Sequence, residues 1–428
     1  MIHISKIGVL ALAGLVGCQA EQVADYDRPL GPGECALKKL EPSQWPSLQT
    51  AYATRDAHIT AAIDQSVKWF QAPSSERSFP YFELASHEQA GASLIAFRSL
   101  LSSSTDAAEF NSAMQEMFDC YQTIGYNRKG VVLFTGYYAP EFRGSRTQQG
   151  QFQYPLYRRP PDLVTDPVTG EPRGRQMPDG SLAPWPGRAE LEATKPFAGT
   201  ELVWLTSPLD TYIIQVNGSA KIILDDGKIM FIGYAGKTDG AYVGLGETLV
   251  NAGIVKEAEL SLPKVRECYT RNPAQVTEFI NQNNCYVFFT DYDGRNWPAG
   301  SLGVRVTERE TLATDKKVYP PGGIVLVETQ AISTSKTKEP FNRFMLDQDT
   351  GGAIRAPGRA DIFMGVGLGA EILAGGQYAE GTMYYFFLKP EFVSQYPLPV
   401  KEKQPATKGT KPKEPVASRA AVAAEPTA

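Results

Sequence analysis

Three aspartates, Asp347, Asp349 and Asp361, fall in one glycine-rich stretch, DQDTGGAIRAPGRADIFMGVG, residues 347–367. Carboxylates held close together in a partly dry site push their pKa values apart, and one then keeps its proton near neutral pH as a general acid. Gly351, Gly352 and Gly358 permit backbone conformations closed to other residues and predict tight turns. Ala353 and Ile354, then Ile362 and Phe363, set apolar positions beside the polar ones. Two short strands with a turn between them would bring Asp349 and Asp361 near one another. A surface turn that caps its own backbone accounts for the same composition. A calcium loop does not, because it needs side-chain oxygens at alternate positions and a closing Glu, and Gly351, Ala353 and Pro357 interrupt that series.

A second stretch, TGYYAPEFRGSRTQQGQFQYPLYRRPPDL, residues 135–163, combines tyrosines with basic and amide side chains. Aromatic faces stack on sugar rings, and guanidinium or amide groups bond sugar hydroxyls and acetamido groups. Tyr137, Tyr138 and Arg146 are the candidates to face an extended polysaccharide, while Tyr154 and Tyr157 read better as core tyrosines. A third stretch, Val216-Asn217-Gly218-Ser219, offers Asn217 and Ser219 as sugar-bonding groups or, equally, a bulge in a strand.

These stretches resemble the membrane-bound lytic transglycosylase A family, which cleaves bacterial peptidoglycan. The resemblance rests on the order Asp349, Gly351-Gly352-Ala353-Ile354, Arg355, Arg359 and Asp361, with the tyrosine block and the Val216–Ser219 segment before it. One departure is Ala356, which stands where the family pattern has glycine. The resemblance covers roughly residues 75–390. It implies a mainly β fold with N-terminal helices, in which a double-psi β-barrel domain is interrupted by a second β-rich domain, with a groove between them. It implies an exo-acting lyase that cuts between N-acetylmuramic acid and N-acetylglucosamine and leaves 1,6-anhydromuramic ends without using water. Asp361 is then the acid/base and Asp349 its supporting carboxylate. Tyr137, Tyr138, Arg146, Asn217, Ser219 and Asp347 are expected on the substrate side, Asp347 with a turn-supporting role as its alternative. Arg359, beside Asp361 in sequence, would lower the acid's pKa if the two met, so it is expected to point away. No cofactor and no metal are expected. Two rival readings are a β-1,4-glycan hydrolase on the same scaffold, with Asp349 positioning water, and a non-catalytic wall-binding lipoprotein.

The rest of the chain has to export, anchor and position these residues. Residues 1–17 read as a signal peptide whose apolar run, Ile7–Val16, is too short to span a bilayer. Leu15-Val16-Gly17-Cys18 fits lipoprotein processing, with Cys18 lipidated. Gln19 after it points to the outer membrane, so the expected location is its periplasmic face, with the inner leaflet as one partner and peptidoglycan strands as the other. Complexes with other wall enzymes are compatible with this location. The net charge of −5 forms no basic stripe, which argues against nucleic acid. His3, His58 and His87 make no cluster, no zinc site is expected, and neither His58 nor His87 has a nearby Ser, Asp or Cys in sequence that suggests a dyad. Export permits disulfides, either Cys35–Cys120 with Cys268–Cys285 or free buried thiols.

Helical spacing covers residues 50–71, 86–101 and 106–124, the last capped by Ser104 or Thr105. Strands are expected at 130–134, 284–290, 301–308, 323–329 and 381–388. Residues 209–224 alternate and, with the Asp225–Lys228 turn and 229–234, read as a hairpin. A helix broken at Pro273 is expected over 264–281. The expected division is an 18–40 linker, 41–138 as helices and the first part of the barrel domain, 139–292 as the insert, and 293–390 as the second part of the barrel domain. The Lys/Pro/Ala-rich tail, 391–428, should be disordered.

Overall fold

The computed structural model describes residues 24–399 except 168, 169, 257, 258, 336, 352 and 353. The expected signal peptide, Cys18, the tail beyond residue 399, and Gly352 and Ala353 of the aspartate stretch lie outside the described residues.

The N-terminal helices form where their caps are. Asp56 accepts the His58 N–H at 2.7 Å and starts helix Ala57–Phe70, so the expected 50–71 helix is two pieces, the first being Gln49–Ala53. Ser86 accepts the Gln89 N–H at 3.0 Å and starts His87–Ser103. The next helix, Ala107–Met117, is capped by Asp106 rather than Ser104 or Thr105, and it ends seven residues early. The chain turns there into strand Phe118–Thr123, whose Phe118, Cys120, Tyr121 and Thr123 are buried, a strand-like aromatic and β-branched run that tertiary pairing claims from the helix.

An eight-stranded sheet gathers strands from both ends of the chain. Val132–Ala139 pairs in parallel with Arg359–Val366 and antiparallel with Tyr378–Leu388. Tyr378–Leu388 continues through Ile324–Ile332, Lys338–Asp349 and Thr311–Ala313 back to Arg359–Val366. The pairings therefore return on themselves. The N-terminal helices cover this sheet and share one core with it, including Phe97, Phe110, Phe344 and Phe386. Ser301–Glu308, expected as a strand, is a run of turns, and the strand of this region is the three-residue Thr311–Ala313.

Between Ala139 and Thr311 the chain builds a separate four-stranded sheet, Val287–Tyr292, Ile229–Lys237, Ser219–Leu224 and Glu141–Gly144, with its own apolar clusters. The expected 209–234 hairpin is half correct. Ser219–Leu224 and Ile229–Lys237 are paired, but Pro208–Asn217 is a helix. Its ends explain it. Ser207 accepts the Asp210 N–H at 3.0 Å, Pro208 opens the first turn, and Gly218 closes the last in the left-handed region at φ 72°. These caps outweigh the β-branched Thr-Tyr-Ile-Ile-Gln-Val run between them. Pro273 likewise starts a new helix, Pro273–Ile280, after Leu262–Arg271.

All four described cysteines are free thiols, which sets aside both expected disulfides in favour of the free-thiol alternative. Cys120 packs inside the core at 0 % exposure, and burial pushes its thiol well above the usual range. His87 does meet a serine, Ser75 Oγ at 2.7 Å, contrary to the sequence expectation. Ser75 is fully buried and also bonds the Ala72 carbonyl at 2.7 Å, so the pair ties a helix to a turn and presents no nucleophile to solvent.

Candidate active site

A cleft of about 1570 Å³ runs between the larger sheet and the inserted sheet. Asp349 and Asp361 both line it. They do not pair with each other. Ala313 stands opposite Asp349 on one side and Asp361 on the other, so the short Thr311–Ala313 strand holds the two carboxylates on flanking strands. At the usual strand spacing their Cα atoms are roughly 10 Å apart.

Their surroundings differ. Asp349 is engaged through both oxygens. Oδ2 accepts the Tyr137 hydroxyl at 2.8 Å, while Oδ1 accepts the backbone N–H groups of Ser301 at 2.7 Å and Thr350 at 2.8 Å. The Ser301 contact needs the loop to lie against the strand. A Cβ on Gly300 would stand 2.7 Å from the Gln348 carbonyl oxygen, so glycine is required there. Asp361 has one hydrogen-bond donor, the Thr135 hydroxyl, which meets Oδ1 from the paired strand. Among the described residues its Oδ2 has no partner. Burial raises both carboxyls above their ordinary range. For Asp349 three donors and the Lys316 charge oppose that rise, and for Asp361 only Thr135 and the Arg359 charge do. A carboxylate that collects N–H and O–H donors is built to be an anion. Asp361 is the carboxyl better suited to hold a proton.

Asp347 lies elsewhere. It is 0 % exposed, does not line the cleft, and accepts bonds from Lys316 Nζ, Thr314 Oγ1 and the Tyr385 hydroxyl. Its expected place on the substrate side is corrected. Alternation along Lys338–Asp349 does not separate it from Asp349, since both have the same parity, but a register shift between Leu312 and Ala313 does. Tyr138 touches the cleft but is buried, its hydroxyl donating to Glu371 Oε2 at 2.8 Å. Glu371 also accepts from Arg266 Nε at 3.2 Å, and Arg266 belongs to the insert, so Tyr138 sits at a joint between the two sheets' domains. Arg146 is exposed, 4.0 Å from Asp291, and does not line the cleft. Tyr137, Asn217 and Ser219 do line it. Asn217 ends its helix with Nδ2 donating to the Ile213 carbonyl at 2.8 Å, so the bulge alternative is removed. Ser219 opens the following strand and is buried.

Arg359 does not point away. Its Nη2 lies 3.4 Å from Thr135 Oγ1, because residues two apart on a strand share a face, here the face of Asp361. Thr135, Lys316 and Tyr242 are not among the expected site residues, although Thr135 bonds Asp361 and the other two line the cleft. Thr135 carried a signal, since strand alternation puts it on the same face as Tyr137. Lys316 followed a strand too short to recognise. Among the described residues no group of His, Cys, Asp and Glu is arranged to hold a metal ion.

Residues 133–290 match the family model described as the MltA specific insert domain, and residues 310–387 match the 3D domain model. The chain is similar to membrane-bound lytic murein transglycosylase A of Escherichia coli (strain K12), at 34 % identity over 256 residues, 58 % of this chain and 64 % of that protein. The Vibrio cholerae protein of the same name is 28 % identical over 259 residues, 59 % of this chain and 65 % of that one. The match thus spans just under two thirds of the length of these curated relatives. Among solved structures, E. coli MltA with bound chitohexaose superposes with a TM-score of 0.62 at 25 % identity, covering 87 % of this chain and 98 % of that chain. The lytic murein transglycosylase structure from Agrobacterium tumefaciens gives a TM-score of 0.68 at 22 % identity over 84 % and 99 % of the two chains, a likeness of fold.

Proposed function

We propose that this chain, which belongs to the membrane-bound lytic murein transglycosylase A family, cleaves peptidoglycan between N-acetylmuramic acid and N-acetylglucosamine and closes a 1,6-anhydro ring on the muramic acid. One observation carries the reading. Of the two motif carboxyls in the cleft, Asp361 alone keeps an oxygen without a partner among the described residues, while Asp349 is bound through both oxygens. A hydrolase of the usual kind needs a second carboxylate free to activate water or to attack the sugar itself. A lyase whose nucleophile is the substrate's own 6-hydroxyl needs one group that gives and then takes a proton.

In this mechanism protonated Asp361 donates to the glycosidic oxygen as the C1–O4 bond breaks and an oxocarbenium-like centre develops. The resulting carboxylate takes the proton of the muramic 6-hydroxyl as O6 attacks C1. Asp361 ends as it began, and no water enters. The intramolecular nucleophile brings a high effective concentration. Asp349, held through both oxygens by Tyr137, Ser301 and Thr350, is the fixed carboxyl on the flanking strand that supports the site around Asp361. Tyr137, Asn217 and Ser219 line the path of the glycan, a placement in keeping with a relative whose structure holds chitohexaose.

The ring of strand pairings fits a double-psi β-barrel interrupted by the 139–292 insert, and the remaining divisions expected from the sequence are part of the same proposal. Anchoring through Cys18 at the periplasmic face of the outer membrane completes it. Among the described residues no helix is long and apolar enough to cross a membrane.

Digestion of peptidoglycan in ¹⁸O-labelled water tests the reaction type. Muropeptides lighter than the hydrolysed form by one water, without ¹⁸O, are expected. Products carrying ¹⁸O at the reducing end would establish the hydrolase instead.

A further inference from the structure

We infer that Thr135 is a positioning residue for this reaction: its hydroxyl, oriented by Arg359, confines the exchangeable proton of Asp361 to Oδ2. The inference rests on the reading of Asp361 as the acid/base. One strand pairing and two hydrogen bonds make the case. Strand pairing sets Thr135 directly opposite Asp361. The Thr135 hydroxyl meets Asp361 Oδ1, and Arg359 Nη2 meets the Thr135 oxygen at 3.4 Å.

A hydroxyl has one hydrogen to give and lone pairs to receive, whereas a guanidinium only donates. Arg359 therefore takes one of the two lone pairs of Thr135, and the one hydroxyl hydrogen goes to Asp361, the other partner of that hydroxyl among the described residues. Oδ1 is thereby held as an acceptor in both protonation states of the acid. A proton on Oδ1 would compete with the Thr135 hydrogen for that oxygen, so protonated Asp361 carries its proton on Oδ2, the oxygen without a partner among the described residues. The outgoing proton to O4 and the incoming proton from the 6-hydroxyl then pass through the same atom. No side-chain rotation is needed between the two halves of the reaction.

The arrangement also settles how a cation can sit beside a general acid. Arg359 acts on Asp361 partly through the Thr135 hydroxyl, and its Nε is buried without a partner among the described residues. Burial outweighs both influences, and the Asp361 carboxyl stays raised.

The test compares Thr135→Val, which is nearly isosteric but cannot donate, with Thr135→Ser, which keeps the donor. Each is assayed for kcat and KM on peptidoglycan across pH, and the Asp361 carboxyl is titrated by ¹³C NMR. Thr135→Val should lose roughly 10- to 100-fold in kcat through misplacement of the proton, with KM little changed. Its alkaline limb and its Asp361 titration should move to higher pH, because the anion has lost a donor. Thr135→Ser should keep both near wild type. Equal impairment of the two variants would mean that the threonine methyl packs the strand and the hydroxyl orients nothing, which overturns the inference. So would an unmoved titration in Thr135→Val. If Thr135→Val fails to fold, Arg359→Met decides. It should lower kcat and raise the Asp361 titration, and an unmoved titration refutes the relay. Loss of the underlying reading is separately visible, as wild-type protein that makes no anhydro products.

Discussion

Replacing Asp347 with alanine should damage stability, not chemistry. Asp347 is completely enclosed, and it faces the Lys316 ammonium, the Thr314 hydroxyl at 2.8 Å and the Tyr385 hydroxyl at 2.9 Å. Burial raises the Asp347 carboxyl and lowers the Lys316 ammonium, and each holds the other charged. Taking away one member of a buried ion pair leaves the other without compensation and costs about 3–5 kcal/mol. Two buried hydroxyls also lose their acceptor. A loss of that size is a large part of the about 5–15 kcal/mol that keeps a protein folded. Equilibrium urea unfolding of Asp347→Ala, Lys316→Met and the double variant Asp347→Leu/Lys316→Met measures it. Each single variant should lose several kcal/mol, and the double variant should recover most of that loss, since a buried pair exchanged for apolar groups is often neutral. An Asp347→Ala protein as stable as wild type but inactive would refute this reasoning and return Asp347 to the reaction.

Asn217→Ala should weaken chitohexaose binding roughly 2- to 10-fold, the worth of one neutral hydrogen bond, with the melting curve nearly unchanged; unaltered calorimetric affinity would remove Asn217 from the glycan path. Glu310 is buried, and despite Arg343 at 2.8 Å burial pushes its carboxyl from 4.5 up to about 8. A carboxyl raised on folding lends stability that is present below its unfolded pKa and is lost as pH rises through about 8. Glu310→Gln should therefore flatten the decline in unfolding midpoint over that window, and an unchanged slope would contradict it. Ala356 sits in the left-handed region at φ 60°. Ala356→Gly should therefore raise stability by up to about 1 kcal/mol, strain relief of 1–2 less the added unfolded-state entropy, and a clear loss would show that the turn depends on the methyl group.

The aspartates that line the cleft were legible because their motif is ordered and because glycine and proline allow few turns between them. Ala356 illustrates the point. It departs from glycine in sequence, yet the backbone keeps the glycine-like φ, with its N–H held by Asp315 Oδ2 at 3.0 Å. What could not be read was register. Asp347 and Asp349 are two apart and by alternation share a face, but the shift at Leu312 and Ala313 buries one and leaves the other in the cleft. The strand that separates Asp349 from Asp361 has three residues and no periodicity to detect. The helix Pro208–Asn217 differs from the expected strand for a different reason. Its caps, Ser207-Pro208 and Asn217-Gly218, are explicit in the sequence, but the β-branched residues between them carry strand propensity that the caps override. Tyr138 and Arg146 show the limit of residue type as a guide, since a tyrosine serves a joint and an arginine a surface ion pair as readily as a sugar.

In the proposed mechanism Asp361 alone gives and takes the proton. Asp361→Asn keeps the shape of the side chain and removes both transfers. Single-turnover release of anhydro-muropeptides from peptidoglycan, measured beside chitohexaose affinity, tests it most directly. A fall of at least about 10⁴-fold, about 5 kcal/mol in the barrier, is expected, with affinity retained and Asp349→Asn impaired less. An Asp361→Asn protein that forms anhydro products at near wild-type rate would contradict it and move the chemistry to another carboxylate, Asp349 first.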